Sequence, residues 1–277
     1  MIQIHTETCT GCGQCADICH ESCITLVDDR PEINETYCST CSQCIAICPA
    51  RALSWNGTPP TTFDLARLPS AAQLDELFKQ RRSIRRFKDE KIDRELLAEI
   101  VQYGIYAPTH NYSLRAIVVD DDEIIRALDG ILVRFVSLVY KVAYRPRVVG
   151  WMARQIGMEE EYLLNKPKVE RVAKAGSAFR YPPAIVFIVG DRRIPLSVDS
   201  AQYSLANMTF YAQVKGIASV LWGNGPVFMD RSPAARKHLG MKRYDRIFGA
   251  LFLGYPAMQF RNKVEGRAMP IQWNGGK

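Results

Sequence analysis

The chain has 277 residues, 47% of them hydrophobic, with 36 basic and 29 acidic side chains for a net charge of +7. That length exceeds a lone small cofactor module and suits a small domain joined to one large one. Residues 1–57 hold two basic and seven acidic residues, so the remainder carries the entire positive excess. The isoelectric point near 8.9 raises nucleic acid as a partner. The basic residues are mostly arginines scattered through apolar segments, not a tract interleaved with exposed aromatics, and nucleic-acid binding is excluded on that ground. No signal-peptide pattern precedes the first cysteine, which predicts a cytoplasmic, reducing location.

All nine cysteines lie at or before Cys48. Eight of them write C-x2-C-x2-C-x3-C twice, as CTGCGQCADIC at 9–19 and CSTCSQCIAIC at 38–48. The runs are related by an offset of 29 residues that also matches Gln14 with Gln43, Ile18 with Ile47 and Ile24 with Leu53, so the segment is an internal duplication. Thiolate is the soft ligand that iron–sulfur clusters need. A zinc ribbon and a disulfide framework are the alternatives; zinc sites usually take four ligands in two separated pairs, and a chain of this length needs no staples. The spacing resembles that of two-cluster bacterial ferredoxins. The resemblance implies a small ferredoxin-like βαββαβ-type domain over 1–57 holding two 4Fe–4S clusters. It assigns Cys9, Cys12, Cys15 and Cys48 to one cluster, and Cys38, Cys41, Cys44 and Cys19 to the other. Cys48 is followed by Pro49 as in that pattern, whereas Cys19 is followed by His20, so hydrogen bonding to sulfur and the potential are expected to differ at the second cluster. Cys23 stands where the duplicate has Ala52 and reads as a small buried residue.

The stretch from Trp55 to Ser70, WNGTPPTTFDLARLPS, has the composition of a linker, placed at 58–70. A second domain follows over 71–277. Helices are predicted from Ala71 to Arg82, with Leu74, Leu77 and Phe78 on one face, and from Asp93 to Tyr103, capped by Asp93 with Leu96, Leu97 and Ile100 inward. Ala116–Val119, Ala184–Val189 and Ile247–Leu253 read as central strands, Ser200–Lys215 as a long helix ended by Gly216, and Gly216–Trp222 as a strand. This alternation predicts an α/β sandwich with a mixed central sheet, and an α+β chain as a whole. No G-x-G-x-x-G opens a helix after a strand, so no Rossmann dinucleotide site is expected. The segment 131–180 places Arg134, Lys141 and Arg145 on one helical face. It reads as a lid with Tyr140, Tyr144 and Trp151 lining a substrate pocket, with interface packing and membrane contact as the other readings.

Arg81-Arg82-Ser83-Ile84-Arg85-Arg86-Phe87 is similar to the R-R-S-x-R-x-F motif of the nitroreductase family of flavoenzymes. Three later stretches extend the resemblance: Ala107-Pro108-Thr109-His110-Asn111, then Gly216 to Gly225, and Gly254-Tyr255-Pro256 with Arg261, Lys263 and Arg267 after it. The resemblance implies FMN. Arg81, Arg82 and Ser83 would bind the phosphate and ribityl end, Arg85 would sit near the pyrimidine edge, and Arg267 would be a late phosphate ligand with Arg261 and Lys263 in reserve. Pro108, Thr109, Asn111 and Ser113 would reach the flavin across a homodimer interface. Leu221 and Trp222 would offer it an apolar face, and Gly223, Asn224 and Gly225 a close backbone. His110 and Tyr112 are candidate proton donors.

Together the halves resemble ferredoxin–nitroreductase fusions of anaerobes. The implied enzyme takes electrons from ferredoxin or a similar low-potential donor, passes them through the clusters to FMN, and reduces a small acceptor such as a nitroaromatic, a quinone or an activated alkene. Two other readings stay open at this point. One is an NAD(P)H-oxidising flavoprotein that sends electrons outward through the clusters. The other is an electron-transfer or redox-sensing module without small-molecule turnover.

Overall fold

The computed structural model describes residues 1–108, 113–144, 147–194, 197–223, 225–266 and 268–274. The first part runs β1 (Ile2–Ile4), α1 (Gln14–Asp17), β2 (Ile24–Val27), β3 (Arg30–Ile33), α2 (Gln43–Ile47) and β4 (Leu53–Trp55). β1 pairs antiparallel with β4, and β2 with β3. Two-stranded ribbons are marginal alone. Here Cys15, Cys23, Ile24, Cys44, Ile45 and Leu53 form one core between ribbons and helices.

The sequence duplication is repeated in the backbone. Positive φ occurs at Gly11 and Thr40, Gly13 and Ser42, Ser22 and Arg51, and Asp28 and Gly57, pairs that share the 29-residue offset. A β-carbon in that conformation costs about 1–2 kcal/mol. Thr40, Ser42, Ser22 and Arg51 therefore hold a shape their side chains disfavour, imposed by the packing around both cysteine runs.

The second part begins with α3 (Ala71–Gln80), started by a capping box in which Ser70 and Gln73 satisfy each other's backbone N–H groups. α4 (Arg94–Gln102) follows Asp93, whose side chain makes no capping bond despite its position; Leu97 and Ile100 are buried as expected. β5 (Arg115–Val119) leads into α5 (Asp122–Val139), where the Asp121 carboxylate accepts from the Glu123 and Ile124 N–H groups. A π-helical turn over Tyr140–Tyr144 precedes α6 (Arg147–Gln155) and α7 (Glu159–Ala175). Then come β6 (Ala184–Asp191), α8 (Ser197–Val214), β7 (Ala218–Leu221), α9 (Gly225–Arg231), α10 (Pro233–His238) and β8 (Asp245–Gly254).

β6 has no polar face. Ala184, Val186 and Ile188 pack with α4 and α8, while Ile185, Phe187 and Val189 pack with α5 and α9. Period-two alternation thus feeds two core layers, as a strand covered on both sides requires. The sheet order is β5-β6-β8-β7, and every described pairing is antiparallel. This corrects the expected mixed sheet. β6 and β7, joined through α8, do run parallel, as helix–strand alternation demands. However, β8 inserts between them and runs against both, so no parallel pair is hydrogen-bonded among the described strands. β5, expected to be central, lies at an edge of the described sheet. No helix among the described residues is long and apolar enough to cross a membrane.

Candidate functional site

The eight cysteines of the two runs divide between two cavities. Cys9, Cys12, Cys15 and Cys48 line the first. Cys19, Cys38, Cys41 and Cys44 line the second, of about 240 Å³, together with Cys23. The last cysteine of each run therefore faces the first three of the other. Short helices produce this exchange: α1 carries Cys15 into the core and ends before Cys19, and α2 does the same with Cys44 and Cys48. No cysteine is in a disulfide. Among the described residues, no three His, Cys, Asp or Glu side chains form a site for a single metal ion.

Electrostatics set these thiols apart. Burial pushes Cys15 up, and Cys12 and Cys48 add like charge. Burial also pushes Cys44 up to about 11, with Cys41, Cys38 and Cys15 adding to it. Cys19 shifts the other way: burial raises it, but hydrogen bonds from Cys23, Glu21 and Ile24 outweigh the burial. The Cys23 sulfur lies 3.4 Å from that of Cys19. Burial first, then Cys19, pushes Cys23 up to about 12. The Ala52 N–H donates to Cys48 Sγ at 3.3 Å. Cys23 occupies the position matching Ala52 beside Cys19, and is buried as the sequence predicts. Four thiolates around one cavity repel each other, so full deprotonation calls for a positively charged occupant.

After α3 the chain runs extended along the sheet. The Ile84 N–H donates to the Ser219 carbonyl at 3.1 Å, the Lys88 N–H to Tyr255 at 2.8 Å, and the Ala257 N–H to Arg86 at 3.0 Å. The Phe87 ring lies against Gly254, where a β-carbon would come within 2.7 Å of it. A side chain at 254 would therefore push the arginine segment off the sheet. Three of the four stretches that carry the sequence resemblance thus meet in space: 81–87, 219–223 and 254–257.

Arg81 and Ser83 are half-buried and Arg85 is exposed. None of Arg81, Arg82, Arg85 or Arg86 is ion-paired among the described residues. Arg82 donates to the Lys79 and Arg81 carbonyls at 2.6 and 2.8 Å, a cation closing the negative end of α3. It also borders a cavity of about 390 Å³ with Ser219, Gln213 and Phe260. Arg85 donates to the Ser83 carbonyl at 3.4 Å. Lys263 pairs with Glu76 of α3, while Arg261 is exposed.

Leu221 and Trp222 do not form one apolar face. Leu221 is 51% exposed, but the Trp222 ring turns into the sheet's other layer, 4.8 Å from Phe252 and 5.2 Å from Phe179. Gly225 accommodates this ring: a β-carbon there would stand 1.7 Å from it. Gly223, in contrast, has nothing within 4 Å of where a β-carbon would be. Sequence reasoning gave both glycines one role and missed that Gly225 serves the tryptophan. Thr109, His110, Asn111, Tyr112, Asn224 and Arg267 lie outside the described residues, as does Arg145. Pro108 is exposed and Ser113 half-buried. In the 131–180 segment, Tyr140 donates to Glu170 at 3.2 Å, Tyr144 stacks on Tyr162, and Trp151 stands 62% exposed. The two tyrosines fasten the turn to α7.

The Nitroreductase family model matches residues 78–255, from within α3 to the end of β8. A nitroreductase with bound FMN from Desulfitobacterium hafniense DCB-2 is similar at 18% identity and a TM-score of 0.52, over 71% of this chain and 97% of that one. An FMN-bound nitroreductase from Bacteroides fragilis NCTC 9343 is similar at 19% identity and 0.50, over 72% and 99%. Iodotyrosine deiodinase bound to FMN and 3-iodo-L-tyrosine is similar at 21% and 0.50, over 73% and 99%. At such identities the likeness is one of fold. No curated protein matches the chain. Both cysteine cavities lie outside the stretch that the family model matches.

Proposed function

The chain belongs to the nitroreductase family and is a flavin-dependent oxidoreductase; from that premise we propose that residues 71–277 bind FMN and that residues 1–57 carry two 4Fe–4S clusters relaying electrons to it. The donor is ferredoxin or a similar low-potential carrier, and the acceptor a small molecule such as a nitroaromatic, a quinone or an activated alkene. Clusters carry single electrons and FMN exchanges one or two, so the pairing lets single electrons leave as pairs.

The residues present fit both groups. Arg81 and Ser83 offer a guanidinium fork and a hydroxyl to a phosphate, with Arg261 and Arg267 as further cations. Arg85 supplies positive charge where a reduced flavin becomes anionic. Leu221 gives the ring an apolar contact, and the open space at Gly223 lets its backbone N–H approach. Arg82 mainly braces the segment through the end of α3. Pro108, Thr109, Asn111 and Ser113 would come from a second copy. The apolar face of α3 supports a homodimer: Phe78 is 54% and Leu74 38% exposed. His110 and Tyr112 remain the candidates for handing a proton to the acceptor.

The observation that carries the relay is the partition of the eight motif cysteines, in which Cys19 and Cys48 exchange places between two cavities. Anaerobically purified protein should contain about eight iron atoms per chain. Cys48→Ser and Cys19→Ser should each lose a different cluster, read by electron paramagnetic resonance. A chain starting at Ser70 should keep FMN but lose rapid reduction by ferredoxin. Stoichiometric zinc without iron after anaerobic reconstitution would defeat the cluster assignment, and undiminished ferredoxin reduction of the shortened chain would defeat the relay.

A further inference from the structure

A second groove, of about 660 Å³, opens beside the arginine segment on the opposite side of the sheet from Leu221. Its floor includes Phe87 and Phe179, which pack on the layer containing Val220 and Phe252. Ser219 and Leu221 alternate with Val220 along β7 and so face the α8 side. Nothing proposed for FMN lies in this groove.

Its rim is rich in cations: Arg86, Lys88, Lys91, Arg126 and Arg180. Three acidic residues, Asp89, Glu90 and Asp122, share it, yet only Lys91 is neutralised, by Asp122. Among the described residues no carboxylate pairs with the other four. Unpaired like charges around one concavity repel each other, and a bound anion relieves that repulsion. Tyr181 stands on the same rim, 52% exposed, edge-on to Phe179 at 6.2 Å. Its open ring offers a planar ligand a stacking surface.

We propose that this groove binds a nucleoside phosphate, with the base against Tyr181 and Phe179 and the phosphate among Arg86, Arg126 and Arg180. Guanidinium groups match phosphate oxygens in pairs. The volume falls within the roughly 300–1,000 Å³ of small-molecule sites. A bare anion would leave the aromatic half of the groove without a role.

Isothermal titration of the full chain at low salt, with FMN first saturated so that its own site is filled, tests this with AMP, adenosine and inorganic phosphate as probes. AMP should bind once per chain, at least tenfold more tightly than either fragment. Arg126→Glu combined with Arg180→Glu should weaken AMP tenfold or more with FMN content unchanged. Should that variant fail to fold, Tyr181→Ala gives an independent reading: AMP affinity should fall towards that of phosphate alone. Absence of saturable AMP binding overturns the proposal, as does AMP binding that the folded variants leave unchanged. Phosphate binding as tightly as AMP also overturns it, because the site would then recognise an anion only.

Discussion

Replacing Gly225 by Ala tests whether the Trp222 ring, and not a bound ligand, is what requires a glycine there. The new β-carbon would stand 1.7, 2.1 and 2.3 Å from three atoms of the Trp222 ring. Ordinary carbon contacts lie near 3.5–4.0 Å, so the ring has to retreat by about 2 Å. Phe252, Phe179 and Phe187 pack against it at ring separations of 4.8, 5.2 and 6.1 Å, and a retreat would disturb these contacts. Overpacking of this kind costs about 1–3 kcal/mol. Urea unfolding of the wild type, Gly225→Ala, Trp222→Leu and the double variant forms a cycle that isolates the clash. Trp222→Leu should cost stability by itself through lost packing, yet it should remove most of the additional penalty of Gly225→Ala. A Gly225→Ala protein within about 0.5 kcal/mol of wild type, a range ordinary for benign surface changes, would refute the reasoning. An equal penalty with and without the tryptophan would also refute it.

Other outcomes follow from single contacts. The buried Asp129 carboxylate accepts from the Ala178 N–H at 2.8 Å, so Asp129→Ala should cost about 1–3 kcal/mol in urea by orphaning that donor, with Asp129→Asn recovering part of it. Arg94 donates to both oxygens of Asp120, at 2.6 and 3.1 Å, and holds its carboxyl below the usual range. A depressed carboxyl contributes stability above its unfolded value that is lost as pH falls through its folded one, so Asp120→Asn should flatten the decline in urea midpoint below about pH 4. Ser42, at φ 63°, should tolerate Gly with a gain of up to about 1 kcal/mol in thermal unfolding. A loss there would mean that its hydroxyl is needed where it stands.

Much of this architecture was legible where the chain repeats a local rule. Leu97 and Ile100 follow a helical period, Ala184 to Val189 form an apolar run between turn residues, and all three settle as read. The antiparallel sense of the pairing was not legible, because nothing within Asp245–Gly254 says which neighbours it will choose. Asp93 has the residue type of a cap but makes no capping bond, whereas Ser70, at the end of a linker-like stretch, makes one. In the candidate site, Arg81 to Phe87 could be placed by resemblance. Adjacent residues there diverge in a way spacing cannot tell: Arg82 turns back on α3 while Arg81 does not, and Trp222 turns inward while Leu221 faces out. Side-chain direction at the end of a strand depends on partners far along the chain, here Phe179 and Phe252.

Strand β8 follows β5, β6 and β7 in the chain, yet it lies between β6 and β7. A ribosome that has delivered everything up to α10 has made two strands with a gap the width of a third between them, each presenting bare N–H and C=O groups. Such edges invite pairing with other chains. The cysteine segment, with a core entirely of its own residues, has no such wait and can mature first. A chain stopped between α10 and β8 would therefore lack the middle of the sheet, so a stop there should be as damaging as one much earlier.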